Sequence, residues 1–245
     1  MENFSRISGA PWFKKMQNLY LTIIGAGGIG SHLAYSLSRL NPFSMYIYDG
    51  DIIETGNQTG QLYSKNDINL IKSFSIADFI NNYSSYSKVS SYNNYLWPGS
   101  IDENGTKVPS SFASFCEPIT FLALDSMEAR KNIVEHFKTL RQEENDNAPF
   151  LLMDGRLSAE EFQIFTMQSF EDIEKYQNSY LFEDVDADSV ICSYKQTTYS
   201  AMMIAGLMTN LFVNYIYNMY VAKGPIRRLP FLTEVECPSL TFKLV

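Results

Sequence analysis

The stretch LTIIGAGGIGSHL, at residues 21–33, places four glycines within six positions directly after an apolar run. Gly25, Gly27 and Gly30 form the pattern G-x-G-x-x-G, and Gly28 adds a fourth small residue. Glycines allow a tight turn and a close approach of the backbone to a phosphate, while the first N–H groups of a following helix can bind an anion. The stretch therefore predicts a strand, a phosphate-binding turn and a helix.

Two aspartates follow later apolar runs, where a parallel sheet would present them to a ligand. Asp49 ends the run MYIYD, and Asp125 ends the run PITFLALD. Ligands of open parallel sheets bind beyond the carboxyl ends of the strands, so Asp49 is predicted to contact a ribose hydroxyl and Asp125 to lie at the ligand. These features fit NAD and ATP equally, and a glycine turn without a ligand is the remaining alternative.

The elements that must position these residues are those of an α/β fold. The apolar runs predict a Rossmann-like, mostly parallel, doubly wound sheet with helices on both faces. The predicted strands are 21–24, 45–48, VSSYNNYL, PITFLALD, FLLMD and FQIFTM, and the predicted helices are 31–40, 70–81, 126–142 and 197–222. Ser126 is expected to cap the third of these helices.

We expect a single domain over residues 1–245. Its predicted parts are an N-terminal arm at 1–18, an exposed loop at 97–111, a flexible acidic segment at 170–191 and an apolar C-terminal helix at 197–222. The charge-free part of that helix is long enough to span a bilayer. Asn210, Asn214 and Asn218, at four-residue spacing, instead favour a buried or subunit-facing helix.

The composition of the chain excludes some classes of partner and indicates the cellular compartment. The net charge of −8 argues against a nucleic-acid backbone or an anionic membrane surface as the main partner. Cys116, Cys192 and Cys237 are far apart and form no C-x-x-C pair, which indicates a reducing compartment and no zinc site. The N-terminus lacks the pattern of a signal peptide, so we expect a cytoplasmic protein.

Four features together resemble the ubiquitin-activating superfamily, whose bacterial members are ThiF and MoeB. They are IIGAGGIGS, YDGDIIETGNQTGQ, Lys72 and LALDSMEARKN. The resemblance covers residues 5–167 and, more weakly, the C-terminal third. It implies a divergent ThiF/MoeB-like adenylation domain that uses ATP and Mg²⁺.

The resemblance implies a set of nucleotide contacts. The glycine turn would hold ATP and Asp49 its ribose, while Asn57, Gln61 and Lys72 would contact the phosphates. Each polar residue also has an ordinary interpretation, as a loop residue or a solvated helix charge.

The resemblance also implies catalytic and metal-binding residues. Asp125 would organise magnesium, and Arg130 matches the arginine that follows this aspartate in the family. Arg6, in the segment FSRI, would reach the nucleotide site, often that of the other subunit of a dimer. Cys192 would accept the activated acyl group, with Lys195 lowering its pKa, although a buried, inert cysteine is the alternative.

The sequence departs from the family pattern at two positions near these residues. Gly60 stands where the family has an arginine, and Asn69 where it has a glycine. The lost arginine removes a fixed positive charge from the phosphate site. Arg156, in the segment LMDGR, is our hypothesis for a substitute.

The implied reaction is adenylation of the C-terminal carboxylate of a ubiquitin-like or sulfur-carrier protein that ends in Gly-Gly, carried out by a homodimer. One alternative is a non-catalytic relative that binds a nucleotide or a partner. A less favoured alternative is an NAD-dependent oxidoreductase, for which no hydride-handling His, Lys or Tyr pair can be identified.

Overall fold

The computed structural model describes residues 4–96, 100–101, 107–108, 116–144, 148–182 and 196–245. Its strands are β1 (Tyr20–Ile24), β2 (Ser44–Tyr48), β3 (Val89–Tyr92), β4 (Ser100–Ile101), β5 (Lys107–Val108), β6 (Ile119–Leu122), β7 (Leu151–Ser158), β8 (Glu161–Met167), β9 (Leu232–Glu236) and β10 (Thr241–Leu244). Its helices are α1 (Phe13–Met16), α2 (Gly28–Ser38), α3 (Lys72–Tyr83), α4 (Met127–Glu144), α5 (Phe170–Tyr180) and α6 (Thr198–Tyr220).

Eight strands form one sheet in the order β10-β9-β8-β7-β6-β1-β2-β3. The pairs from β3 through β2, β1 and β6 to β7 are parallel, and those from β7 to β10 are antiparallel. After β1 the chain adds β2 and β3 on one side, and β6 lies on the other, which makes β1/β6 the topological switch point. Ligands bind at such a point in doubly wound folds.

Helices cover both faces of the sheet, as predicted. On one face α1, α2, α3 and α6 pack over an apolar cluster that includes Met16, Leu33, Ile76 and Ile204. On the other face α4 and α5 pack over a second cluster that includes Phe137 and Ile173. The Rossmann-like fold class is therefore confirmed.

The predicted flexible acidic segment at 170–191 is wrong for its first part. Residues 170–180 form α5, which Ser169 caps by accepting a hydrogen bond from the Asp172 amide. Ile173 and Tyr176 are buried against the sheet, so an apolar face lies behind the acidic one. Residues 183–191 lie outside the described part.

The predicted loop at 97–111 is only partly described, since β4 and β5 pair within it and the rest lies outside the described residues. The predicted arm at 1–18 carries α1, whose Phe13 and Met16 are buried. The β9–β10 pair at the far edge of the sheet was not predicted.

The apolar segment at 197–222 is helix α6, which begins with a Thr197 cap. Two of its asparagines hold the chain that follows: Asn214 donates to the Arg228 carbonyl, and Asn218 both donates to and accepts from Arg227. In the part of the chain that the structure describes, no helix combines the length and apolarity that crossing a membrane requires.

Candidate functional site

The turn between β1 and α2 requires glycine at two of its positions. Gly25 has φ +96°, and a Cβ there would lie 2.3 Å from the Ala123 carbonyl oxygen. A Cβ at Gly30 would lie 1.9 Å from the Gly25 carbonyl oxygen. At Gly27, the N-cap of α2, no described atom lies within 4 Å of an added Cβ and no described side chain caps the helix. The space beside Gly27, at the N-terminus of α2, is therefore open enough for an anion to enter.

Asp49 is held against this turn. One of its carboxylate oxygens accepts from the Ala26 amide at 2.6 Å, and the other accepts from the Asp51 amide at 2.8 Å. Burial raises the pKa of Asp49, and the two amides oppose that rise. The Tyr63 hydroxyl donates a hydrogen bond to the Ala26 carbonyl oxygen at 2.6 Å and so also holds the turn in place. The turn and the end of β2 are thus one rigid unit.

An open cleft of about 320 Å³ lies at the end of β2. It is lined by Gly50, Asp51, Ile52, Glu54, Asn57, Lys72 and Tyr95. Lys72, at the start of α3, is buried and donates to Asp51 at 2.7 Å. Burial would raise the pKa of Asp51, but the hydrogen bonds from Lys72 and Tyr95 outweigh it and lower that pKa.

Tyr95 contacts the segment that follows β2. Its hydroxyl donates to Asp51 at 2.5 Å, and its ring lies over Gly50, where a Cβ would meet the ring at 2.5 Å. The hydrogen bond to Asp51, partial burial and the charges of Asp51, Asp49 and Asp125 together raise the pKa of Tyr95 to about 12. The charge of Asp125, which follows β6, therefore acts on the Tyr95 hydroxyl.

Asp125 is exposed, and its neighbours fix the backbone around it. Ser126 accepts from the Ala129 amide, which confirms it as the cap of α4. Arg130 is buried, donates to the Leu124 carbonyl oxygen and donates to Asp154 at 3.0 Å. Arg130 thus positions the segment that carries Asp125, and its charge is paired inside the protein.

Asn57 and Gln61 lie in and after a short 3-10 turn, Thr55–Thr59, beside the glycine turn. Asn57 accepts from the Glu54 amide at 2.8 Å and lines the cleft. The Gln61 side-chain oxygen is buried without a hydrogen-bond partner among the described residues. Gly60 is buried and its backbone bonds with His32, whose pKa burial lowers.

The structure does not bring Arg156 to the cleft. Its Nε donates to Asp154 at 2.9 Å, and its other nitrogens donate to the Tyr176 hydroxyl and the Tyr180 carbonyl oxygen. Its guanidinium also lies over the Phe165 ring. Because this network stands on the α4/α5 face of the sheet, Arg156 is committed to packing, and the geometry gives no support to its substitution for the arginine missing at position 60.

Of the remaining predicted residues, the structure describes Arg6 alone. Arg6 is exposed in the N-terminal arm. Cys192 and Lys195 lie outside the described residues. The two described cysteines are buried thiols: burial raises the pKa of Cys116 to about 12 and also raises that of Cys237.

Comparison with known proteins decides the family. The sequence profile of the ThiF family matches residues 2–218. The chain belongs to the ThiF family. A comparison with curated proteins gives no match.

Solved structures share the fold of this ThiF-family chain at low sequence identity. E. coli MccB, solved with ATP, is 15% identical with a TM-score of 0.70, over 100% of this chain and 71% of that one. E. coli TcdA, a tRNA N6-threonylcarbamoyladenosine dehydratase solved with ATP, is 12% identical with a TM-score of 0.66, over 91% and 96%. PaaA is 14% identical with a TM-score of 0.66, over 98% and 68%.

The described residues of this ThiF-family chain offer few ligands for a metal. No group of three or more His, Cys, Asp and Glu side chains among them could hold a metal ion. Magnesium is commonly held by one or two carboxylates with phosphate oxygens and water completing its shell. An exposed Asp125 fits that arrangement, in which the nucleotide itself supplies ligands.

Sequence reasoning missed three residues of this site: Asp51, Tyr63 and Tyr95. The D-x-D spacing of Asp49 and Asp51 was a usable signal, because both follow the same strand. The other two come from later segments, and only the folded chain brings Tyr63 to the glycine turn and Tyr95 to the cleft.

Proposed function

We propose that this ThiF-family chain binds ATP and adenylates a carboxylate of a peptide or protein substrate. The observation that carries the proposal is the convergence at the β1/β6 switch point, where the glycine turn, Asp49, Lys72 and Asp125 follow the ends of three neighbouring parallel strands or begin the next helix. The structures of MccB and TcdA with ATP, which share this fold, support the choice of nucleotide.

The glycine turn and the N-terminus of α2 would take the phosphates, since the space beside Gly27 is open. Asp49 would accept from the ribose, because two amides use only part of the acceptor capacity of a carboxylate. Asn57 and Gln61 would add polar contacts by donating from their side-chain amide nitrogens to phosphate oxygens.

Lys72 would contact a phosphate oxygen while it keeps its bond to Asp51. An ammonium group has three donors, so one can remain on Asp51 while another turns into the cleft. Asp125 would be the protein ligand of Mg²⁺, which neutralises the polyphosphate when bound.

The proposed reaction requires the site to orient the substrate carboxylate and ATP and to stabilise the negative charge of the phosphates. A carboxylate oxygen of the substrate would attack the α-phosphorus, and the bond to the bridging oxygen would break as pyrophosphate leaves. The attacking carboxylate is already ionised, so no general base is required. This suits a cleft whose titratable groups are carboxylates, a lysine and a tyrosine with a raised pKa.

For the substrate we propose the C-terminal carboxylate of a ubiquitin-like or sulfur-carrier protein ending in Gly-Gly. Cys192 would then accept the acyl group, and Arg6 would complete the site from the second subunit of a homodimer. The cytoplasm is the proposed location. Nucleic acid and membranes are not proposed as partners.

ATP–pyrophosphate exchange tests the proposal. With Mg²⁺ and a panel of Gly-Gly-tailed proteins, we expect exchange by the wild type, and a loss of at least about a hundredfold in Asp125→Asn if the metal ligand is essential. Asp78→Asn, an exposed charge change on α3, is the matched control and should keep full exchange. Exchange equal in both variants would contradict the role of Asp125.

The second candidate is a protein that binds ATP without catalysing adenylation. Two features favour it because they lower the positive charge at the proposed phosphate site. Gly60 stands where the family arginine is expected, and Lys72 is paired with Asp51. Saturable ATP binding without exchange for any carrier tested would favour this candidate over adenylation.

A further inference from the structure

The side chain of Gln196 lies between two glycines at the edge of the glycine turn. A Cβ built on Gly28 would lie 1.9 Å from the Gln196 amide oxygen, and one built on Gly60 would lie 2.6 Å from its amide nitrogen. Both glycines are buried. The carboxamide therefore occupies the space that side chains at positions 28 and 60 would take.

The backbone around Gln196 is anchored to the same region. Gln196 forms a β-bridge with Ala159, and the next residue, Thr197, caps α6 by accepting from the Ser200 amide. Thr198 donates to the Thr59 carbonyl oxygen at 2.6 Å. These contacts tie the start of α6 to the 3-10 turn that precedes Gly60, and so they fix the backbone from which the Gln196 side chain extends.

The Gln196 amide nitrogen lies 2.9 Å from the position of a Cβ on Gly28, so the donor end of the carboxamide also borders the start of α2. Gly28 is the first residue of α2, and Gly27 beside it faces open space. A neutral amide can donate from its nitrogen to a phosphate oxygen without adding charge to the site. Gly60 makes room for it, since any side chain there would meet the Gln196 amide.

On the basis of the proposed function, we infer that Gln196 is a nucleotide-site residue that stands in for the arginine missing at position 60. Its carboxamide borders the phosphate position at the start of α2 and donates a neutral hydrogen bond to ATP. Gly60 and Gln196 are then a complementary pair, because an arginine at 60 would displace the carboxamide.

The test is the Kd for MgATP of four proteins that are first compared by thermal melting. Gln196→Met keeps the length of the side chain without its donor and should bind about tenfold more weakly. Gln196→Glu keeps the shape but places a negative charge beside the phosphates, and should bind at least about a hundredfold more weakly. Gln142→Glu, exposed near the far end of α4, adds the same charge and should bind as the wild type does.

The outcomes separate this inference from the proposed function. Wild-type protein that does not bind ATP would overturn the proposed function itself. Wild-type binding with equal Kd values for Gln196→Glu and Gln142→Glu would overturn the role of Gln196 alone. If Gln196→Glu fails to fold, Gln196→Met decides, since a wild-type Kd for that variant excludes a hydrogen bond from the carboxamide.

A double-mutant cycle tests the pairing with Gly60. Gly60→Arg and Gln196→Gly should each weaken MgATP binding about tenfold, the first by displacing the carboxamide and the second by removing it. The double variant gives the arginine its space and should bind at least as tightly as the wild type. A double variant whose loss equals the product of the two single losses would show that the positions are independent.

Discussion

Lys72 is a buried ammonium group that depends on one carboxylate. Its side chain is 9% exposed, whereas that of Asp51 is 47% exposed. An unpaired charge at the position of Lys72 would be costly, but the partner is half in water and its interaction is screened. At the residue scale this pair both stabilises the cleft and keeps the lysine beside the proposed phosphates.

Replacing Asp51 by Asn should lower the free energy of unfolding by about 1 kcal/mol at pH 7. Because the pKa of Asp51 is lowered in the folded state, its contribution is complete above the unfolded-state pKa of about 4 and is lost as pH falls through the folded pKa. Urea unfolding of both proteins at pH 7 and pH 3 measures this. A difference that is the same at both pH values would contradict the ion pair.

Replacing Arg156 by Met should lower the free energy of unfolding by about 3 kcal/mol, since the fully buried Asp154 would lose one of its two ionic partners among the described residues. The Kd for MgATP, measured well below the melting temperature, should stay within about twofold because Arg156 belongs to the opposite face. A large loss of ATP affinity with unchanged stability would instead restore Arg156 as a phosphate contact.

At the scale of elements, the turn from β1 to α2 combines a steric and a binding requirement. Gly30 is closed in by the Gly25 backbone, while Gly27 opens to solvent. The two glycines of one motif should therefore respond differently to the same substitution.

Gly30→Ala should destabilise the fold by about 3 kcal/mol or more, because its new Cβ meets a backbone atom that cannot yield cheaply. Gly27→Ala should fold but bind MgATP about tenfold more weakly, since its Cβ enters the space assigned to the phosphates. Gly206→Ala, on an exposed position of α6, is the control and should leave ATP binding unchanged. Equal stability of the first two variants would contradict the geometry of the turn.

The regular elements were predictable where apolar periodicity was strong. The strands β1, β2 and β6 and the helices α2, α3 and α4 were placed to within a few residues, and with them Asp49 and Asp125. Helix α5 was missed because its exposed acidic residues outweighed the buried Ile173 and Tyr176. The Asp51–Lys72 pair and the placement of Gln196 depend on contacts between distant segments, which a local pattern does not encode.

At the scale of the whole molecule, the net charge of the chain and the carboxylates of the cleft both disfavour the binding of a free polyphosphate. The chain carries a net charge of −8, and the carboxylates of Asp51 and Glu54 line the cleft. A polyphosphate approaching this surface is repelled unless a cation accompanies it. We therefore expect ATP to bind tightly only with Mg²⁺ present.

Calorimetric titration of the wild type with ATP and with NAD, each with and without Mg²⁺, tests the central claim most directly. The account predicts one saturable ATP site per chain that requires Mg²⁺ and is weakened in Asp125→Asn, with no competition from NAD. Binding of NAD without binding of ATP would contradict the account and return the glycine turn to the oxidoreductase alternative.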